Sequence, residues 1–168
     1  MINFQKCFAE RKSDVIEYNG MIYRRYFPVK ISTRALLRFQ FTGGSSKFEQ
    51  AIVIVFPRGF SGKVQVNEKN IPVRKTAFPK LNFWESTSPK TFEVEITDFT
   101  GEIKICNGSD PTGTKEFCKH LSDGCAMIVK NLTENQFRCY CNDHQLNDDC
   151  TDLVFDLQLQ SCVQLYNN

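Results

Sequence analysis

The side chains best able to do chemistry crowd into RCYCNDHQLNDDCTDLVFDL, Arg138 to Leu157, where three cysteines, one histidine and five aspartates fall between two strand-like runs. Three chemistries compete for them: a zinc site, a disulfide staple and an oxygen-rich calcium loop. Zinc is disfavoured by spacing. Structural zinc sites draw paired ligands from a turn, whereas Cys139 and Cys141 alternate with Arg138 and Tyr140 and share a strand face with Phe137. On that face they read as small core hydrophobes. Each is also open to pairing with a cysteine on a neighbouring strand or the facing sheet, though not with the other. Calcium is bound by oxygens, and Asn142, Asp143, Asn147, Asp148, Asp149 and Asp152 offer carboxylates and amide carbonyls in one short loop. The set is not an EF-hand, because the glycine at the sharp turn and the closing glutamate are absent. Two readings stand for this loop: a calcium site, with Ca2+ as the expected cofactor, and a solvated acidic turn.

Other candidates are scattered. Cys7, Cys106, Cys118, Cys125, Cys139, Cys141, Cys150 and Cys162 form an even set of disulfide candidates, and only Cys7 precedes residue 106. Their pairing is not readable from spacing. Trp84, with Phe83, lies in PKLNFWESTSPK and is expected in a loop, where it either stacks on a ligand or caps the core. His120 beside Cys118 mimics a thiol–imidazole pair, but no third orienting group accompanies it, so no catalytic residues are expected. MIYRRYF interleaves bases and aromatics, yet it reads as a wet sheet face, not a nucleic-acid surface.

The elements that must hold these residues have an apolar period of two almost throughout. VIEY, Asn19-Gly20 and MIYRRYF form the strongest hairpin signal, with strands expected at 14–18 and 21–27. ALLRFQFT alternates. QAIVIVF (50–56) is unbroken and suits a strand buried on both faces at the centre of a sheet. KVQVNE and IPVRKTAF are expected as strands joined at Lys69-Asn70, and TFEVEITDF and GEIKIC extend the series until CNGSDPTGT (106–114) breaks it. KEFCKHL predicts one short helix, and CAMIVKNL, QFRCYC and LVFDLQLQ three last strands. The pattern predicts an all-β fold: a single domain over 1–168, an antiparallel two-sheet β-sandwich, jelly-roll-like, with at most one short helix.

The end of the chain resembles the terminal motif of bacterial surface and secreted β-sandwich domains, in which an acidic pair precedes an Asp-x-Asp-aromatic-Asn-Asp-Leu-Val-Phe run. Asn142-Asp143 stands for the pair and Asn147 to Phe155 for the run, with Asn147, Cys150 and Thr151 departing from the pattern. The resemblance covers the last quarter and implies an extracellular or cell-surface setting.

Charge adds an asymmetry. Residues 1–105 carry 17 Lys+Arg against 10 Asp+Glu, a surplus of +7, while 106–168 carry 4 against 9, a deficit of −5. Such a split suits a cation site, a head-to-tail contact between copies, or two differently solvated faces. MINFQKCFAERKSD has no apolar run of signal-peptide length, so an exported form would have lost its signal. The sequons at Asn107 and Asn131 fit export. The expected function is a non-catalytic binding or adhesion module, secreted or at the cell surface, whose partner is a glycan or protein surface. No nucleic-acid partner and no membrane insertion are expected. The alternatives are a self-assembling, disulfide-linked structural subunit and a cytosolic enzyme with reduced cysteines.

Overall fold

Asn19 (φ 49°) and Gly20 (φ 73°) take the two left-handed conformations that a tight primed turn demands, and they join β1 (Val15–Tyr18) to β2 (Met21–Arg24). The same alternation builds the rest of the computed structural model, which describes residues 2–116, 118–120, 124–143, 145–147, 149–160 and 163–164. Thirteen further strands follow: β3 (Phe27–Ile31), β4 (Arg34–Gly43), β5 (Glu49–Val55), β6 (Lys63–Val66), β7 (Lys69–Asn70), β8 (Lys80–Trp84), β9 (Thr91–Thr97), β10 (Gly101–Asp110), β11 (Lys119–His120), β12 (Ala126–Thr133), β13 (Gln136–Asn142), β14 (Leu153–Gln160) and β15 (Val163–Gln164). They form two antiparallel sheets. The larger has the order β1-β2-β12-β13-β14-β4-β9-β6-β7, and the smaller β15-β3-β10-β5-β8 with β11 beside β10.

The sheets face each other across a core in which Phe83 of β8 stacks on Phe92 of β9 at 4.5 Å and Phe27 of β3 meets Phe137 of β13 at 4.9 Å. β5 is buried along Gln50–Ile54 and lies between β10 and β8, as its unbroken apolar run implies. The fold is thus the all-β, two-sheet sandwich that the period-two pattern predicts.

The helix is elsewhere than expected. Lys119–His120, within KEFCKHL, pairs with β10 as β11, and the one helix among the described residues is α1 (Phe4–Arg11). Asn3 caps it, its side chain accepting from Lys6 N at 2.9 Å, and Lys12 ends it in the left-handed region at φ 49°. Phe4 and Phe8, one turn apart, are buried with Ile16, Tyr23, Ala126 and Cys150 in a second, smaller core on the outer side of the larger sheet. Two apolar residues at that spacing are too short a period to stand out in sequence. β10 also runs on through Asp110, because Asn107 and Ser109 pair with Ile52 and Gln50, where turn residues predicted a break. Lys69-Asn70 is a short strand, and the turn falls one step earlier at Asn67 and Glu68, both at positive φ. IPVRKTAF forms no strand; Pro72 has no N–H to donate to a ladder.

Candidate functional site

The loop between β13 and β14 is a hydrogen-bonded hub. Asn142, the last residue of β13, is fully buried, and its Nδ2 donates to the carbonyls of Gly124, Gln145 and Asn147 at 2.9, 3.1 and 3.0 Å. Asn107 of β10 donates to Asn142 O at 2.7 Å, tying the hub to the facing sheet. Asp143, also buried, accepts from Ser46 Oγ (2.8 Å) and Gln145 N (2.7 Å), while its own N–H donates to Asp152 Oδ2 at 2.9 Å. Asp149, exposed, accepts from Asn147 Nδ2 and Thr151 N, both at 3.1 Å.

These carboxylates turn toward different protein donors. Among the described residues no three His, Cys, Asp or Glu side chains are grouped so as to hold a metal. Asn142 Oδ1 and Asn147 Oδ1 are nevertheless buried without a hydrogen-bond partner. Burial, then the charges of Asp143 and Asp149, push the Asp152 carboxyl up to about 6 against the pull of the Asp143 N–H. Asp148 and His144 lie outside the described residues.

The cysteines divide between the two cores. Cys139 and Cys141 are fully buried with Phe137, on the face that alternation assigns them, and Cys106 and Cys118 join the same core. Cys7 packs against the smaller core that contains Cys150. Cys7, Cys106, Cys118, Cys139 and Cys141 stand as thiols. Burial raises Cys118 to about 11 and pushes Cys106, Cys139 and Cys141 higher still, so these thiols are protonated and poorly nucleophilic at neutral pH. His120 Nδ1 lies 3.1 Å from Lys80 Nζ, and burial and that cation lower its pKa. Cys162 lies outside the described residues.

Trp84 is not a loop platform. It ends β8 opposite Ala51 and is only 9 % exposed, on the outer face of the smaller sheet with the buried Ala51, Val53 and Cys106. Lys115 Nζ is 3.9 Å from Glu49 Oε1, and Cys118 packs on the core. Phe83, on the opposite face, is committed to Phe92.

A groove that sequence reading missed opens at one end of the smaller sheet. It encloses about 560 Å³ between Tyr26, Val55, Phe56, Pro57, Phe99 and Lys104, with Glu102 at its edge. Phe56, Phe60 and Phe99 pack in series as tilted rings, with centroids 4.5 and 4.9 Å apart, to support one wall. Gly101 lets that wall close, because a Cβ there would meet the Phe99 ring at 2.7 Å. Lys104 Nζ sits 4.5 Å from the Tyr26 ring centroid and 3.8 Å from Asp14 Oδ2. The signal available in sequence was TDFTGE between two strands, a turn with an aromatic and a glycine.

Strand register also separates the charges. Lys80, Val55 and Lys104 form one row across the smaller sheet, while Glu49 pairs with Asp110 at the other end of β5, about 20 Å away at 3.3 Å per residue. Comparison with protein-family models, with curated proteins and with solved structures finds no match to this chain.

Proposed function

We propose that the chain is a non-catalytic β-sandwich binding module of the extracellular or cell-surface type, and that it engages a glycan or protein surface through the groove at Tyr26, Phe99 and Lys104. The observation that carries this reading is the pairing of aromatic and apolar walls with a cation and a carboxylate in one concave site. Aromatic faces stack on sugar rings or apolar side chains, and Lys104 and Glu102 supply orienting hydrogen bonds. The resemblance of the last quarter to secreted sandwich domains agrees with the setting.

Titration of the parent protein with neutral and acidic oligosaccharides, followed by a screen against cell-surface proteins, tests the groove. Tyr26→Ala and Lys104→Ala should each weaken the binding found by about tenfold or more and leave the melting temperature near that of the parent. Binding that both substitutions leave intact would place the contact elsewhere and sink the groove as the site.

Assembly of copies is a second reading, favoured by a separate observation. β1 is a terminal strand of the larger sheet, and Val15, Met21 and Ile22 on its hairpin are exposed.

A further inference from the structure

Asparagine is followed by glycine twice in the chain, at Asn19-Gly20 and at Asn107-Gly108. Such a step carries its own chemistry. The glycine nitrogen, with no side chain to shield it, can attack the side-chain carbonyl carbon of the asparagine before it and close a five-membered ring. Whether it does depends on how firmly the fold holds both groups.

The two steps are held in opposite ways. Asn107 is 2 % exposed, its Nδ2 donates to Asn142 O at 2.7 Å, and Gly108 is paired on both sides, with Ala51 of β5 and His120 of β11. Neither group can turn toward the other unless the smaller sheet opens. Asn19 and Gly20, by contrast, are exposed at the tip of the β1–β2 hairpin, where Tyr18 pairs with Met21 across a two-residue loop. The ladder closes at Tyr18 and Met21, so the Gly20 N–H is left outside it. Open space surrounds it: no atom beyond the chain neighbours lies within 4 Å of the position a Cβ on Gly20 would take. Among the described residues no hydrogen bond holds the Asn19 side chain. The hairpin is four residue pairs long, ends the larger sheet, and meets β12 at one registered pair, Arg24 with Met127. Short pairings at a sheet edge open at low cost.

We propose that Asn19 is a self-modifying site, at which the chain converts its own hairpin turn to isoaspartate with water as the only co-reactant. The Gly20 nitrogen loses its proton and bonds to Asn19 Cγ, the Cγ–Nδ2 bond breaks, and the amide nitrogen leaves as ammonia with a proton gained. A succinimide remains. Water then opens it: cleavage between the Gly20 nitrogen and the original backbone carbonyl gives isoaspartate, and cleavage at the former side-chain carbonyl gives aspartate. Nothing is oxidised or reduced. Either product adds a negative charge at the tip, but isoaspartate also inserts one more carbon into the backbone between Tyr18 and Met21. A primed turn built from two residues at positive φ has no place for it. The hairpin carries Ile16 and Tyr23 into the smaller core beside Phe4 and Phe8, so loss of its pairing loosens that core. The reaction needs no partner and no particular compartment, so it is independent of the Tyr26 groove.

Peptide mapping of the purified parent, aged for weeks at neutral and at mildly alkaline pH, tests the site. The Asn19 peptide should show the amide-to-acid mass change and accept methyl groups from an isoaspartate methyltransferase, faster at the higher pH because the attacking nitrogen must lose its proton. In the folded protein Asn107 should react at least about tenfold more slowly, since it waits for the sheet to open, and in urea the two should react alike. Asn19→Gly supplies the control, because Gly-Gly also suits the primed turn and removes the reactive amide. Aged parent should be cut by protease within the hairpin, and aged Asn19→Gly should not. An Asn19 that keeps its amide, an Asn107 that reacts as fast as Asn19 in the folded protein, a product that is aspartate alone, or an aged hairpin as protease-resistant as that of Asn19→Gly would each overturn the proposal.

Discussion

Burial and two neighbouring carboxylates hold Asp152 near 6, above the value of about 4 that an exposed aspartate has. The unfolded chain therefore releases this proton at lower pH than the folded one does. Between about pH 4 and 6 the folded state binds more protons, so the contribution of Asp152 to stability falls as pH rises through that window, by up to about 3 kcal/mol, and is level above it. Asp152→Asn should flatten this fall and raise stability at pH 7, because an amide oxygen can still accept from the Asp143 N–H; urea unfolding of both proteins across pH 4 to 7 reads the difference. A cation taken up by Asp143, Asp149 and Asp152 would replace their present donors and relieve the repulsion between them, and it would raise the melting temperature of the parent by mass action. Asp149→Ala with Asp152→Ala should abolish that rise, and a parent melting curve indifferent to calcium and chelator refutes an ion in this loop.

Among the elements, β8 and α1 carry side chains whose roles differ from what their local sequence announces. Trp84 closes the outer face of β8, so Trp84→Ala should cost about 3–5 kcal/mol of folding stability. Phe8 anchors α1 in the smaller core, where it is 1 % exposed and Arg25 sits 5.3 Å from its ring centroid; Phe8→Ala should cost a similar ~3–5 kcal/mol. Removing the cap with Asn3→Ala should cost only about 1 kcal/mol. Chemical denaturation ranks the three. A Trp84→Ala protein as stable as the parent would contradict the burial of that side chain and reopen it as a binding platform.

At the scale of the whole molecule, the two cores differ in access. Cys139 and Cys141 lie in the centre of the sandwich, fully buried and with raised pKa, whereas Cys7 sits half-buried on α1. In a reduced sample, native-state alkylation should label Cys7 well before Cys139 and Cys141, whose reaction requires opening of the sheets. Peptide mapping by mass spectrometry checks the order, and early labelling of Cys139 would show that the main core opens locally. The same scale turns a linear charge split into a spatial one, because β5, β8 and β10 lie antiparallel and bring Lys80 and Lys104 into one row at one end of the sheet.

What the sequence determined by itself was whatever depends on near neighbours along the chain. Alternation placed Cys139 and Cys141 inward with Phe137, the unbroken run at 50–56 marked a strand buried on both sides, and Asn19-Gly20 specified its turn, since period and turn chemistry are local properties. Tertiary structure alone decided the rest. That Trp84 is buried depends on the packing of β8 beside β5, and the Tyr26 groove exists only because Tyr26, Val55 and Lys104 are brought together from distant positions. The acidic loop shows the division within one site. Its oxygens and amides were legible in sequence, but two of their partners come from distant segments, Ser46 donating to Asp143 and the Gly124 carbonyl accepting from Asn142 Nδ2, and those contacts are set by how the chain packs.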